Sequence, residues 1–182
     1  MLEKQIVRKH IKALIKELTE QEKSLLSQQI SAKLEQNERF VNAQTVMLFA
    51  SLPDEVDTNI LLQKYKNKKN ILLPVVKGDK LLLRHFHDFN HMQKGAFGIQ
   101  EPVCLGNAFT DLKKIDLVIT PGVAFDQSLH RLGRGKGFYD RFFSQSAMND
   151  TYKIGICFPC QLVTELPTET HDILMNEVVS SY

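Results

Sequence analysis

Residues 131–141, Arg131-Leu132-Gly133-Arg134-Gly135-Lys136-Gly137-Phe138-Tyr139-Asp140-Arg141, set glycine at every second position among cations. Gly133, Gly135 and Gly137 let the backbone curl so that several amide hydrogens converge on one anion, and a helix beginning at 138 would aim its N-terminus at the same point. Arg131, Arg134 and Lys136 add fixed positive charge, so the chemistry indicated is the holding of a phosphate chain. A Walker A loop is excluded, because the Gly-Lys pair lacks the Ser or Thr that must follow it. Asp140, in the first turn of that helix, is open to two readings: a charge that favours the helix dipole, or a ligand for magnesium bridging phosphates.

Residues 51–58 place Asp54, Glu55 and Asp57 in one polar loop. Asp57 is expected to cap the helix that follows. Glu55 has no such task, and a carboxylate suits the amide-and-amine edge of a pterin or purine. Lys4 and Arg8 belong to a basic helical stripe, a pattern that serves either as a solvated face or as a phosphate contact. Cys157-Phe158-Pro159-Cys160 has thioredoxin-like spacing, but Pro159 and residues 161–163 do not open a helix that would lower a thiol pKa, and no second pair offers zinc ligands. His85 and His87 share a strand face with His91 following, which reads as the polar side of a hairpin.

The elements that must position these groups are legible in the apolar pattern. Leu2, Ile6, Ile11, Leu14, Ile15 and Leu18 recur at helical spacing, with Lys4, Arg8, Lys12 and Lys16 as a separate stripe. Thr19 and Glu22 form a capping box for a second helix running toward Asn37, so two helices precede the first strand. Residues 46–50 form a continuous apolar run, as a strand covered on both faces would. Helix is expected over 58–68, strands over 71–76 and 81–86 around a hairpin turn at 77–80, loop over 94–102, strand over 115–120, helix over 138–148, and strands over 154–157 and 177–180. Alternating strands and helices predict one α/β domain over 1–182: a mostly parallel sheet with helices on both faces and an antiparallel hairpin. Ligands of such sheets sit beyond the carboxyl ends of the strands, where 51–58 and 121–141 lie.

Composition narrows the function classes. The chain has 182 residues, 23 basic against 21 acidic side chains and a net charge of +2, too little to make a nucleic acid the expected partner. No stretch has the length of an apolar membrane span or the core of a signal peptide, which places the chain in the cytoplasm. Its 3 cysteines are an odd set that rules out a disulfide scaffold.

The run Pro121-Gly122-Val123-Ala124-Phe125-Asp126, followed by 131–141, resembles the signature of the 5-formyltetrahydrofolate cyclo-ligase (5,10-methenyltetrahydrofolate synthetase) family. Lys4 and Arg8 resemble its amino-terminal nucleotide-contacting pair, and 51–58 its folate-contacting loop with Glu55 as the key carboxylate. Residues 98–102 resemble its central loop, and 166–172 its carboxyl-terminal segment. Three positions depart from the pattern: Phe138 where Tyr is frequent, Asn176 where Asp is common, and His130 before Arg131.

The resemblance implies a Rossmann-like three-layer fold and an ATP- and Mg2+-dependent ring closure of 5-formyltetrahydrofolate to 5,10-methenyltetrahydrofolate. Lys4, Arg8, Arg131, Gly133, Arg134, Gly135, Lys136 and Gly137 would hold ATP, Asp140 and Asp172 the metal, and Glu55 the pterin. Tyr139 would border the reacting groups, with Arg134, Lys136 and Tyr139 as the catalytic set. The expected partners are 5-formyltetrahydrofolate and ATP, with no nucleic acid or membrane, and the expected state is a monomer. Two alternatives are a non-catalytic nucleotide- or RNA-binding module, which the presence of Glu55 and Lys136 disfavours, and a thiol redox protein built on Cys157 and Cys160.

Overall fold

The computed structural model describes residues 2–181. Its helices are α1 (Leu2–Glu17), α2 (Glu20–Gln36), α3 (Glu38–Asn42), α4 (Asn59–Tyr65) and α5 (Phe138–Phe143). Its strands are β1 (Thr45–Met47), β2 (Asn70–Lys77), β3 (Lys80–His85), β4 (Met92–Lys94), β5 (Gln100–Pro102), β6 (Leu117–Pro121), β7 (Ala124–Asp126), β8 (Arg131–Leu132), β9 (Tyr152–Ile156), β10 (Leu162–Val163) and β11 (Glu177–Val179). The main sheet runs β11-β9-β6-β1-β2-β3, parallel except for the β2–β3 hairpin at one edge.

Strand alternation builds the layers. Val46, Ile71, Leu73, Leu117, Ile119 and Ile154 pack with Ile30 and Leu34 of α2, Phe40 of α3, and Leu61 and Leu62 of α4. Met47, Leu72 and Val118, one residue out of step, pack on the other side with Phe142 and Phe143 of α5. Each such fully buried Leu or Ile stabilises the fold by about 1.5–3 kcal/mol. The capping box forms as read: the Glu22 amide donates to Thr19 Oγ1 at 3.2 Å, and the Thr19 amide to the Glu22 carboxylate at 2.8 Å. No helix among the described residues is long and apolar enough to cross a membrane.

Several local expectations are corrected. A third helix, α3, precedes β1, because the Asn37 side chain accepts the Arg39 amide hydrogen at 2.9 Å and restarts the helix that its backbone ends. Strand β1 stops at Met47, and the Phe49 carbonyl instead accepts the Thr58 hydroxyl at 2.5 Å. Thr58 occupies the N-cap of α4, with Asp57 accepting from the Asn59 amide at 2.9 Å. Residues 94–102 belong to a small hairpin of β4 and β5. Helix α5 ends at Phe143, since Ser144 Oγ donates to the Arg141 carbonyl at 3.0 Å and Gln145 Nε2 to that of Phe142 at 3.0 Å, which satisfies the last turn early.

A second sheet, β10-β7-β8, was not legible in the sequence. Helix α1 packs on it, with Ile11 and Ile15 against Val123, Ala124, Leu132 and Leu166. Leu2 and Ile6, counted on the apolar stripe of that helix, are exposed, whereas Lys4 is buried. The inward face is Lys4, Arg8, Ile11 and Ile15, so half of the basic stripe shares a side with apolar residues, while Lys12 and Lys16 remain exposed.

Candidate active site

Strands β1 and β6 are neighbours, yet the chain leaves them for opposite edges of the sheet, β1 for β2 and β6 for β9. At such a switch point the connections diverge and leave a crevice at the carboxyl ends. A cavity of about 710 Å³ opens there, walled by the 51–58 loop, the start of α1, the β4–β5 hairpin, the glycine-basic loop and residues 169–172. Lys4, Arg8, Glu55, Arg131, Gly133, Arg134, Gly135, Lys136, Gly137, Tyr139, Asp140 and Asp172 all line it, together with Phe49, Leu52, Pro74, Val76 and Phe97.

Glu55 is fixed by its own loop. Its amide donates to the Leu52 carbonyl, and its Oε2 accepts the Leu52 amide hydrogen, both at 2.9 Å. Oε1 accepts from Arg134 Nη2 at 2.8 Å and from Nε at 3.0 Å. The same guanidinium spans to Asp54, with Nη2–Oδ1 at 2.7 Å. Burial lifts the Glu55 carboxyl above its ordinary value, in spite of the Arg134 charge and the Leu52 amide, which act to lower it. For the more open Asp54, burial pushes upward but the Arg134 hydrogen bonds and charge prevail and hold it low. Three lone-pair directions of the Glu55 carboxylate are thereby taken, and Asp54 is a site residue to which the sequence reading gave no role.

The glycine-basic loop is shaped by its backbone. Gly135 has φ +94° and Gly137 φ +65°, a region that favours glycine. Arg8 Nε donates to the Gly133 carbonyl at 2.8 Å, and the Arg8 guanidinium lies 3.4 Å from where a Cβ on Gly135 would stand. Helix α5 is only 6 residues long, so positive charge here comes chiefly from side chains and loop amides rather than from a helix dipole. Lys136 is exposed, its Nζ 5.9 Å from the Phe97 ring centre. Arg131 turns inward with 4% of its side chain exposed, donating to Asp140 Oδ1 at 2.9 Å and to the Pro121 carbonyl at 3.3 Å, with its guanidinium 5.3 Å from the Tyr139 ring centre. Burial, with the Glu55 charge adding to it, pushes the Tyr139 phenol well above its ordinary value, so at neutral pH it is a neutral donor.

Lys4 Nζ lies 2.6 Å from Asp172 Oδ2 and 3.0 Å from Glu169 Oε2. Burial opposes charge on Lys4, but the hydrogen bonds to Asp172 and Glu169 outweigh it and raise its pKa. Glu169, His171 and Asp172 offer ligand atoms within 4.8 Å of one another. Asp140 is not in that cluster: it lines the same cavity but is bonded to Arg131, so the structure does not bring Asp140 and Asp172 together directly. The Glu169 to Asp172 spacing within the quoted segment was the available signal for Glu169.

The hairpin wall holds two further residues missed in the sequence. Phe97, 61% exposed with φ +57°, stands 6.1 Å ring to ring from Phe138. Buried Glu101 accepts the Val76 amide hydrogen at 3.0 Å and so fastens β5 to β2, and a Cβ on Gly95 would overlap its carboxylate. The rival motifs are otherwise occupied. Burial pushes the Cys157 thiol up to about 12 and raises that of Cys160, so neither is a ready thiolate. His85 bonds Asn70 and His91 bonds Asp88.

The family model for 5-formyltetrahydrofolate cyclo-ligases matches residues 1–181. This chain belongs to that family. It is 33% identical over 167 residues to the 5-formyltetrahydrofolate cyclo-ligase of Escherichia coli, a match covering 90% of this chain and 92% of the relative. With the Mus musculus 5-formyltetrahydrofolate cyclo-ligase it shares 23% identity over 190 residues, 95% of this chain and 91% of the relative. Its fold is similar to the NMR structure of Aquifex aeolicus 5,10-methenyltetrahydrofolate synthetase, with a TM-score of 0.86 and 31% identity over 100% of this chain and 90% of that one. The Mycoplasma pneumoniae 5,10-methenyltetrahydrofolate synthetase, 24% identical over 98% of this chain and 99% of its own, shares the fold with a TM-score of 0.78. The mostly parallel sheet with helices on both faces is thus the architecture of the family.

Proposed function

We propose that this chain uses ATP to close 5-formyltetrahydrofolate to 5,10-methenyltetrahydrofolate within the cavity at the β1–β6 switch point. The observation that carries the reading is Arg134, whose guanidinium joins the carboxylate loop to the glycine-basic loop on one cavity wall. A formamide is a poor electrophile and its oxygen a poor leaving group. The formyl oxygen attacks the γ-phosphorus as the bond to ADP breaks, giving an imino-phosphate. Nitrogen 10 of the same folate then attacks the formyl carbon and loses its proton to water. Phosphate departs with the former formyl oxygen, leaving the methenyl bridge cationic.

Both reacting ends belong to one folate, so the protein mainly orients them and stabilises charge. Lys136, Arg8, Lys4 and the amides of Gly133, Gly135 and Gly137 hold the triphosphate. Glu55 anchors the pterin, whose donors are alternatives to Arg134 at Oε1; once displaced, Arg134 faces the phosphates with Lys136. Tyr139, neutral beside Glu55, supplies a hydroxyl near the reacting groups. Arg131, deeply enclosed, acts on the triphosphate by holding Asp140 and the Pro121 turn.

Magnesium fits the oxygen donors of Asp172 and Glu169, because hard cations take carboxylates; bound there it would displace the Lys4 ammonium, leaving Lys4 for the phosphates. Asp140 is a further carboxylate of the same cavity. Bound there, the ion would spread the negative charge of the phosphates. The reading is tested by incubating purified protein with ATP, magnesium and 5-formyltetrahydrofolate. Appearance of the near-ultraviolet methenyl chromophore, with one ADP per product, is expected; ADP without the chromophore, or neither, sinks it.

A further inference from the structure

The glycine-basic loop and residues 169–172 come from distant parts of the chain, and one buried carboxylate, outside the cavity lining, joins them. Asp126 ends β7, and 1% of its side chain is exposed. Its Oδ1 accepts the amide hydrogens of Ser128 at 3.0 Å and His130 at 2.9 Å, which shapes the turn leading into β8 and on to Gly133. Its Oδ2 accepts the amide hydrogen of Leu166 at 3.0 Å. His130 Nδ1 lies 3.0 Å from Oδ2 and 3.2 Å from Oδ1, closing the outer side of the carboxylate.

The turn is tied to the C-terminal segment a second time. Leu129 has φ +68°, a conformation uncommon for a residue with a side chain, and its carbonyl accepts the Met175 amide hydrogen at 2.9 Å. From Leu166 the chain reaches Glu169, whose amide donates to Asp172 Oδ2 at 2.8 Å. Asp126 is therefore bonded on one side to the turn that launches the cationic loop, and on the other to the segment that carries the acidic pair.

A carboxylate is the suitable group here because donors approach from both sides. Each oxygen of an ionised Asp accepts, whereas an Asn would present an N–H toward one set of donors and lose that tie. Burial pushes the Asp126 carboxyl upward, but the His130 and Leu166 amides outweigh it and keep the group ionised at neutral pH.

We infer that Asp126, with His130 as its outer clasp, is a positioning residue that sets the register between the glycine-basic loop and residues 166–172. The inference rests on the reading of those two segments as the halves of a nucleotide site. The test uses Asp126→Asn, His130→Ala and His130→Asn, the last restoring an amide N–H near the place of Nδ1. In Asp126→Asn, hydrogen exchange should rise together at 133–137 and 166–172, while α2 and β2 keep their protection. The dissociation constant for ATP should rise about tenfold, the size expected for loss of a hydrogen bond to a charged acceptor, with that for 5-formyltetrahydrofolate within about twofold of the parent. His130→Ala should show the same pattern at roughly threefold for ATP, and His130→Asn should restore it. A lower melting temperature with parental exchange and affinities, loosening of one segment alone, or equal weakening of both ligands overturns the proposal. If Asp126→Asn does not fold, the two His130 variants decide. Exchange needs no nucleotide, so a parent that binds no ATP overturns the reading of the site and leaves the positioning test standing.

Discussion

Lys4 Nζ sits 2.6 Å from Asp172 Oδ2, an ion pair spanning 168 positions of sequence between the first helix and the C-terminal segment. Only 11% of the lysine and 14% of the aspartate side chain is exposed, so without Lys4 the partly desolvated Asp172 would keep only the Glu169 amide, and without Asp172 the lysine would keep only Glu169.

Lys4→Met should lower the melting temperature by on the order of 5 °C at neutral pH. The pH dependence has a definite sign. Asp172 is pushed up by burial but brought below its ordinary 3.8 by Lys4 and the Glu169 amide, so its contribution is present above that value and lost as pH falls through the lowered one. Lys4, raised above 10.5, contributes fully below that value and loses its share only as pH rises past it. Thermal melts from about pH 2 to 11 should show a steeper acid limb in the parent than in Lys4→Met, and little difference in slope near neutrality. Parallel acid limbs would mean that the pair does not stabilise the fold.

Lys136→Ala should reduce turnover by about 10²- to 10³-fold at saturating ATP, the scale for removing one fixed charge from a developing anion. The side chain is exposed and, among the described residues, its ammonium meets the Phe97 ring alone, at long range, so the melting temperature should stay within about 1 °C. Turnover near that of the parent would remove Lys136 from the machinery.

Glu55→Gln should weaken folate binding by roughly one to two decades, because an amide accepts at one end and opposes donors at the other, a mismatch of about 1–3 kcal/mol. Arg134 keeps Asp54 as a partner, so ATP affinity should change little. Calorimetric titration of both ligands separates the cases; equal weakening of the two would make the 51–58 loop a structural element alone.

Asp172→Asn should raise the magnesium concentration for half-maximal turnover by about tenfold, since an amide keeps the shape but loses the charge a hard cation prefers. Asp140→Asn, which strips the enclosed Arg131 of its charged partner, should lose more melting temperature and need less extra magnesium. Magnesium titrations of the two variants beside their melts check the contrast, and the reverse ranking would assign the ion to Asp140.

Much of this arrangement was legible because it is local or periodic. The runs around Val46, Ile71 and Leu117 are apolar on both faces, and Thr19 with Glu22 is a helix start that needs no tertiary context. The small sheet was not, as β8 and β10 are each 2 residues long and show no period. Glycine spacing pointed to the glycine-basic loop as a cavity wall, but whether Arg131 points outward or into the wall depends on Asp140 and the Pro121 carbonyl, which only the fold brings together. Lys4 and Arg8 were read as a stripe apart from Ile11 and Ile15, although their spacing of four, three and four residues puts all four on one side of a helix, the side that packs inward.

The bond from the Val76 amide to Glu101, under a Gly95 that has no room for a side chain, ties the fates of two positions in evolution. A methyl group at 95 evicts the carboxylate and frees the hairpin from β2, whereas a shorter acid at 101 leaves space for that methyl. The two positions are therefore coupled: a side chain at 95 costs the Val76 tie while Glu101 stands, and costs less once 101 has been shortened and that tie already given up.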